Sequence, residues 1–117
     1  MKARFVDFGE IEIDGQRYDY DVVIDQGKVR KREKKRSKAY REQYGHTPLS
    51  ADEEIPWGGK RLIVGTGAHG QLPIMPVILD EAKQRGIEII AVPTDEACRL
   101  ISNKEDKKVR AILHVTC

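Results

Sequence analysis

Cysteine is scarce. Cys98 and Cys117 are the only two in the chain, too few for a disulfide framework and without the paired spacing of a zinc site. Both are read as reduced thiols. Long apolar runs are also missing: each falls far short of the ~20 residues that a membrane-spanning helix needs, so no span is expected. The opening Met1-Lys2-Ala3-Arg4-Phe5-Val6-Asp7 lacks the apolar core and cleavage site of an export leader, which makes a cytoplasmic location the expectation. A convergent catalytic set is lacking too. No obvious nucleophile, metal cage or acid/base pair gathers around one motif, so the residues indicate no catalytic role, no cofactor and no metal.

What is present fits one domain spanning residues 1–117, large enough to bury about two-thirds of its unfolded surface without staples. Charge is plentiful and uneven. Lys28 to Lys38 holds eight basic residues and one acid, a local +7 within a chain of net +2, so the remainder sums to −5. Any electrostatic partner would meet a stripe.

The chain is organised around Lys60 to Gly70. Leu62, Ile63 and Val64 suit a strand covered on both faces, and Gly65, Thr66, Gly67 and Gly70 form a loop at its carboxyl end, where open α/β sheets usually place ligands. Before it, Arg4–Phe8 and Ile11–Ile13 lead to Asp14-Gly15, a type I′ hairpin signal. Tyr18 to Asp25 predicts one strand, with Tyr18, Tyr20, Val22 and Ile24 on its buried face and Asp19, Asp21 and Asp25 on a largely wet one. Asp25-Gln26-Gly27 then turns the chain into the basic strand from Lys28, completing an antiparallel β-meander.

Ser37 to Leu49 reads as loop, and Ser50-Ala51-Asp52-Glu53 as a capping box opening a short helix. Beyond the glycine loop, Pro76 fits a first helical position, Ile78, Leu79 and Ala82 the inner stripe, and Gly86 the stop. Ile87–Val92 predicts another buried strand. Thr94 is placed as the cap of a helix with Ala97, Cys98, Leu100 and Ile101 inward, and Val109–Val115 as the last strand. The fold class is therefore α/β: a compact three-layer domain with an N-terminal meander and β-α-β-α-β on a mixed central sheet.

Tyr20-Asp21-Val22-Val23-Ile24, the basic strand after it, Gly45-His46-Thr47, the Gly65-Thr66-Gly67 loop and the ending His114-Val115-Thr116-Cys117 together resemble a family of small domains of unknown function. It is found in archaea and bacteria and shared with a mitochondrial complex I assembly factor and an adipogenesis-associated human protein. The resemblance implies a three-layer α/β fold and no particular enzyme activity.

Three functional readings follow. The leading one is a non-catalytic protein-interaction or assembly domain using the basic edge, with Lys28, Arg30, Lys31, Arg32, Lys34, Lys35 and Arg36 as partner-binding residues. An edge strand kept from aggregating by its charges is the plain alternative. The second reading is a small-molecule binding protein or enzyme that takes Gly65, Thr66, Gly67, His69 and Gly70 as a cradle for a small anion or nucleotide, with His69 as polar neighbour or proton carrier, since Gly65-Thr66-Gly67-Ala68-His69-Gly70 satisfies G-x-G-x-x-G. Against it, Pro73 and Pro76 push the helix away from the third glycine. The third is nucleic acid binding through Lys28–Lys38, with Tyr40 and Tyr44 as stacking candidates. His114 and Cys117, three apart in a strand, are expected on opposite faces. Trp57 is expected to pack on the core.

Overall fold

The computed structural model describes residues 1–117, arranged in two sheets and three helices. The strands β1 (Ala3–Asp7), β2 (Glu10–Ile13) and β3 (Gln16–Tyr18) form a small antiparallel sheet. Five more, β4 (Val22–Asp25), β5 (Lys28–Lys31), β6 (Arg61–Thr66), β7 (Glu88–Val92) and β8 (Arg110–His114), form a mixed sheet in the order β5-β4-β8-β6-β7. The helices are α1 (Arg41–Tyr44), α2 (Pro76–Gln84) and α3 (Thr94–Ser102), with 3-10 segments at Lys34–Tyr40 and Asp106–Lys108. None is long and apolar enough to cross a membrane.

Local chemistry sets these boundaries. Asp14 and Gly15 take φ of +49° and +85°, as a two-residue hairpin turn requires, and Gln26 and Gly27 repeat the device at +51° and +82°. Pro76 opens α2, and Gly86 ends it at φ +68°. Val64 of β6 pairs in parallel with Ala91 of β7 and Ile112 of β8, and Ile112 faces Val23 of β4 across an antiparallel ladder. The last strand is thus central and runs parallel to β6.

Alternation along these strands divides the core. Val22, Ile24, Ile63, Ala111 and Leu113 turn to one face, where Ala97, Cys98 and Ile101 of α3 and Ile11 and Ile13 of the small sheet cover them. Val23, Leu62, Val64 and Ile112 turn to the other, against Ala82 of α2 together with Leu49, Leu72 and Ile87. Trp57 packs at the edge of this second cluster, with the Arg85 guanidinium 5.3 Å above its ring.

Several expectations are corrected. Tyr18 to Asp25 is two strands: the chain leaves the small sheet after Tyr18, bends at Asp19 and Tyr20, and enters the large sheet at Val22. Because the bend carries it between layers, Asp21 is buried and Tyr20 is left half-open under the Lys31 ammonium. Ser50–Glu53 forms turns and no helix, since Glu53 is drawn onto Arg32 and the Ser50 hydroxyl onto Ser37. Part of the expected loop from Ser37 is instead 3-10 helix followed by α1. β7 is an edge strand and only half-buried, and Leu79 is 48% exposed beside its buried neighbours Ile78 and Ala82. Thr94 is the first residue of α3, not its cap, and its hydroxyl serves the glycine loop.

The thiols divide by packing. Burial first, then the Asp95 charge, push the Cys98 thiol up to about 12 in spite of the opposing charge of Arg99. Cys98 is 1% exposed, whereas Cys117 is half-buried. A thiol reagent at pH 8 is therefore expected to label Cys117 in the folded protein, and Cys98 only once denaturant is added. Peptide mapping of the labelled sites checks this; rapid labelling of both in native buffer would contradict it.

Candidate functional site

The strand order marks where a ligand crevice is expected. From β6 the chain crosses through α2 to β7 on one side, and from β7 through α3 back to β8 on the other, so the connections diverge at the carboxyl end of β6. The glycine loop lies there, and the chain itself fills it. The amides of Ala68, His69 and Gln71 donate to the Thr116 oxygen at 2.7 Å and to the Cys117 oxygen at 3.1 and 3.0 Å. Gly67 donates to the Thr94 hydroxyl at 2.8 Å, which in turn donates to the His114 carbonyl at 2.6 Å. Gly70 and Leu72 donate to the carbonyls of Gly67 and Thr66.

Every amide from Gly67 to Leu72 is therefore engaged inside the molecule. The glycines do permit a close backbone approach, but what approaches is residues 116–117. A Cβ on Gly67, whose φ is +107°, would overlap the Cys117 main-chain carbon and lie 2.6 Å from the Thr116 oxygen. Gly65 and Thr66 are buried in β6, while His69 and Gly70 are exposed, with the His69 ring 6.1 Å from that of Phe8. As an anion cradle, the group Gly65, Thr66, Gly67, His69 and Gly70 is corrected: its donors are already satisfied.

The basic stretch is not one surface. β5 is an edge strand, and Lys28 and Lys31 are exposed on it, but Arg30 donates to the Glu54 carbonyl at 2.8 Å. Arg32 is 3% exposed, which corrects its place among partner-binding residues. Its Nε and Nη2 donate to the two oxygens of Glu53 at 2.7 and 2.9 Å, Nη1 to Asp21 at 2.8 Å, and Nη2 also to the Pro48 carbonyl at 3.0 Å. Ser37 donates to the same Glu53 carboxylate and meets the Ser50 hydroxyl at 2.6 Å. Arg36 pairs with Glu33 on the surface, and Lys35 stands free beside it.

The buried guanidinium organises the neighbouring site. Asp21 accepts from Arg32, from the Val115 amide at 2.9 Å and from His114 Nδ1 at 2.8 Å. Burial would raise the Asp21 carboxyl, but the His114 hydrogen bond and charge, the Arg32 charge and the Val115 amide outweigh it and bring the group down to about 2. An ionised carboxylate only accepts, so His114 donates to it through Nδ1, and Nε2 lies 3.3 Å from the Thr116 hydroxyl.

That imidazole lines a cleft of about 400 Å³ between the carboxyl end of β8 and the segment from Lys34 to Thr47. Thr116 and Cys117 lie on the same wall, His46 and Thr47 opposite, and Lys34, Lys38 and Arg41 complete the lining. None of those three cations has a carboxylate within ion-pair distance in the chain, although the nearby Arg32, Arg30 and Arg36 are all engaged. Cys117 reaches the cleft, against the expected opposite facing, because β8 ends at His114 and its alternation ends with it. His69 lies outside the lining, and the chain has no cluster of three or more His, Cys, Asp or Glu suited to a metal ion.

Solved structures share this architecture. A family model described as "Protein of unknown function (DUF498/DUF598)" matches residues 4–114. The chain belongs to the DUF498/DUF598 family. The DUF498/DUF598 domain is similar over 100% of both chains to the crystal structure of conserved hypothetical protein PH1505 from Pyrococcus horikoshii OT3, at 33% identity and a TM-score of 0.81. It is also similar to the protein named MT938, at 25% identity and a TM-score of 0.66, over 98% of this chain and 99% of that one. No curated protein matches it. Within this DUF498/DUF598 domain, Gly45-His46-Thr47 and His114-Val115-Thr116-Cys117, far apart in sequence, meet across the cleft. Sequence reasoning missed Lys38, Arg41 and His46 as a group, although two of the motifs that carried the resemblance, Gly45-His46-Thr47 and His114-Val115-Thr116-Cys117, were the signal that pointed there.

Proposed function

We propose that the domain is a non-catalytic binding module that seats an acidic segment of a protein partner in the cleft between β8 and the Lys34–Thr47 segment. The observation that carries this reading is the set of three unpaired cations, Lys34, Lys38 and Arg41, lining one hollow at the carboxyl end of a central strand. Placing like charges together without acids costs free energy, and an incoming carboxylate or phosphate removes that cost. The imidazoles of His46 and His114 and the hydroxyls of Thr47 and Thr116 add hydrogen-bonding groups that orient such a guest.

The test is fluorescence anisotropy with labelled Glu- and Asp-rich peptides at about 0.15 M salt, where screening suppresses diffuse attraction. Wild-type protein is expected to bind at least one peptide saturably. The triple variant Lys34→Glu, Lys38→Glu, Arg41→Glu is expected to lose tenfold or more in affinity with an unchanged melting temperature. Equal affinity in the two proteins would remove this reading.

A second reading is supported by the Asp21–His114 hydrogen bond, an orientation that also suits a proton carrier. On it, the same cleft takes a small anionic molecule. Thermal shift against phosphates and carboxylates distinguishes the two, since a ligand at 100 times its dissociation constant adds about 2.7 kcal/mol. Nucleic acid binding has less support, because Arg30, Arg32 and Arg36 have partners within the chain and the stretch offers no continuous phosphate track.

A further inference from the structure

At the amino ends of β6 and β8, on the side of the sheet opposite the glycine loop, a second hollow of about 630 Å³ opens. Six cations line it: Lys60 just before β6 and Arg61 at its start, Lys104, Lys107 and Lys108 from the turn after α3, and Arg110 at the start of β8. Its one hydrophobic lining residue is Ile63. Nothing in the sequence pattern grouped these residues, since the basic stretch at Lys28–Lys38 drew the charge argument elsewhere.

Arg110 distinguishes this hollow from a scatter of surface lysines. Its side chain is only 16% exposed and is fixed through Nε, 3.3 Å from Asp25 Oδ1. Gly58 and Gly59 make room for it. A Cβ at position 58 would stand 3.2 Å from the guanidinium carbon, and one at position 59 would stand 2.9 Å from Nη1. The two glycines let the guanidinium plane lie against the backbone, with Nη1 and Nη2 making no hydrogen bond inside the chain. Four N–H donors in a fixed fork therefore remain for a guest, the geometry that fits phosphate oxygens.

The surrounding charge is incompletely balanced. Arg61 pairs with Glu88 at 3.0 Å and Lys108 with Glu105 at 4.0 Å, both on the open surface, where such pairs are worth little. Lys60, Lys104 and Lys107 have no carboxylate partner in the chain. A concave, almost wholly cationic hollow of several hundred Å³ matches a small molecule with several negative charges, not an apolar ligand. We propose that this hollow binds a small molecule carrying two or more phosphate groups, with the Arg110 guanidinium gripping one phosphate and Lys104, Lys107 and Lys60 neutralising the others. The site is separate from the β8 cleft and does not depend on the function proposed for that cleft.

The experiment is a two-dimensional amide NMR titration of the full chain at about 0.15 M salt. Inorganic pyrophosphate, ADP and a single-stranded oligonucleotide are the probes, with AMP for comparison. Pyrophosphate or ADP is expected to give saturable shifts confined to residues 58–61 and 104–110, tighter than AMP by tenfold or more. Lys104→Glu with Lys107→Glu, both near the surface, is expected to weaken binding at least tenfold with an unchanged melting temperature. Arg110→Gln is expected to abolish it, and the triple variant of the β8 cleft to leave it intact. Absence of saturable shifts with both pyrophosphate and ADP would overturn the proposal. So would binding that survives the Lys104/Lys107 substitutions, or shifts at these residues with the oligonucleotide alone.

Discussion

Replacing Arg32 by alanine is expected to cost about 3–5 kcal/mol of folding stability, read as a lower midpoint in urea unfolding, because it strands two carboxylates that the fold has withdrawn from water. Asp21 and Glu53 are 8% and 7% exposed, and Arg32 bridges both. Such a loss is a large share of the 5–15 kcal/mol typical of a domain. The triple substitution Arg32→Met, Asp21→Asn, Glu53→Gln, which removes all three charges, is expected to recover part of it. A urea midpoint unmoved by Arg32→Ala would mean that the network is not a structural centre.

The same network predicts a pH dependence. The Asp21 carboxyl is depressed from an ordinary 3.8 to about 2, so protonation is harder in the folded state than in the unfolded one. Its contribution, of order 2 kcal/mol, is fully present above about pH 4 and lost as the pH falls toward 2. Asp21→Asn is expected to flatten this acid limb of the stability profile. An identical acid limb in the variant would assign it to other carboxylates.

Gly67→Ala is expected to be the next most damaging single change, of order 3 kcal/mol, from strain at a positive φ together with collision against the main chain of residues 116–117. For a domain of this size that is a fall of roughly 10 °C in melting temperature. Amide exchange at Ala68, His69 and Gln71, whose N–H groups hold residues 116 and 117, should accelerate with it. A loop whose glycines served a bound anion would behave differently: the variant would keep its melting temperature and lose only ligand binding.

Much of the fold was legible because it follows from short-range rules. Leu62-Ile63-Val64 suits a strand with apolar cover on both sides, and the two cores divide at those residues. Asp14-Gly15, Pro76 and Gly86 set their boundaries through backbone conformation alone. What escaped were the decisions made by distant partners. Asp21 alternates with Val22 as a solvent-facing residue should, yet His114 and Arg32 draw it inside. Ser50 and Glu53 have the spacing of a helix cap, but a guanidinium 21 residues earlier in the chain holds Glu53. The glycines permit close backbone approach, as a cradle for an anion would need. Periodicity carries no information on which segment does the approaching, and here it is the chain's own residues 116–117.

Putting residues 110–114 in the middle of the large sheet has a consequence for biosynthesis. β4 meets β8 at Val22↔Leu113, and until that late segment emerges, β4 and β6 have no neighbour on the sides that β8 will occupy. The nascent chain therefore passes through a stage with two strand edges whose N–H and C=O groups are unpaired, during which pairing with another unfinished polypeptide competes with waiting for its own. A single insertion of β8 then joins both halves at once, so the large sheet is completed only by the segment that pairs with both of them.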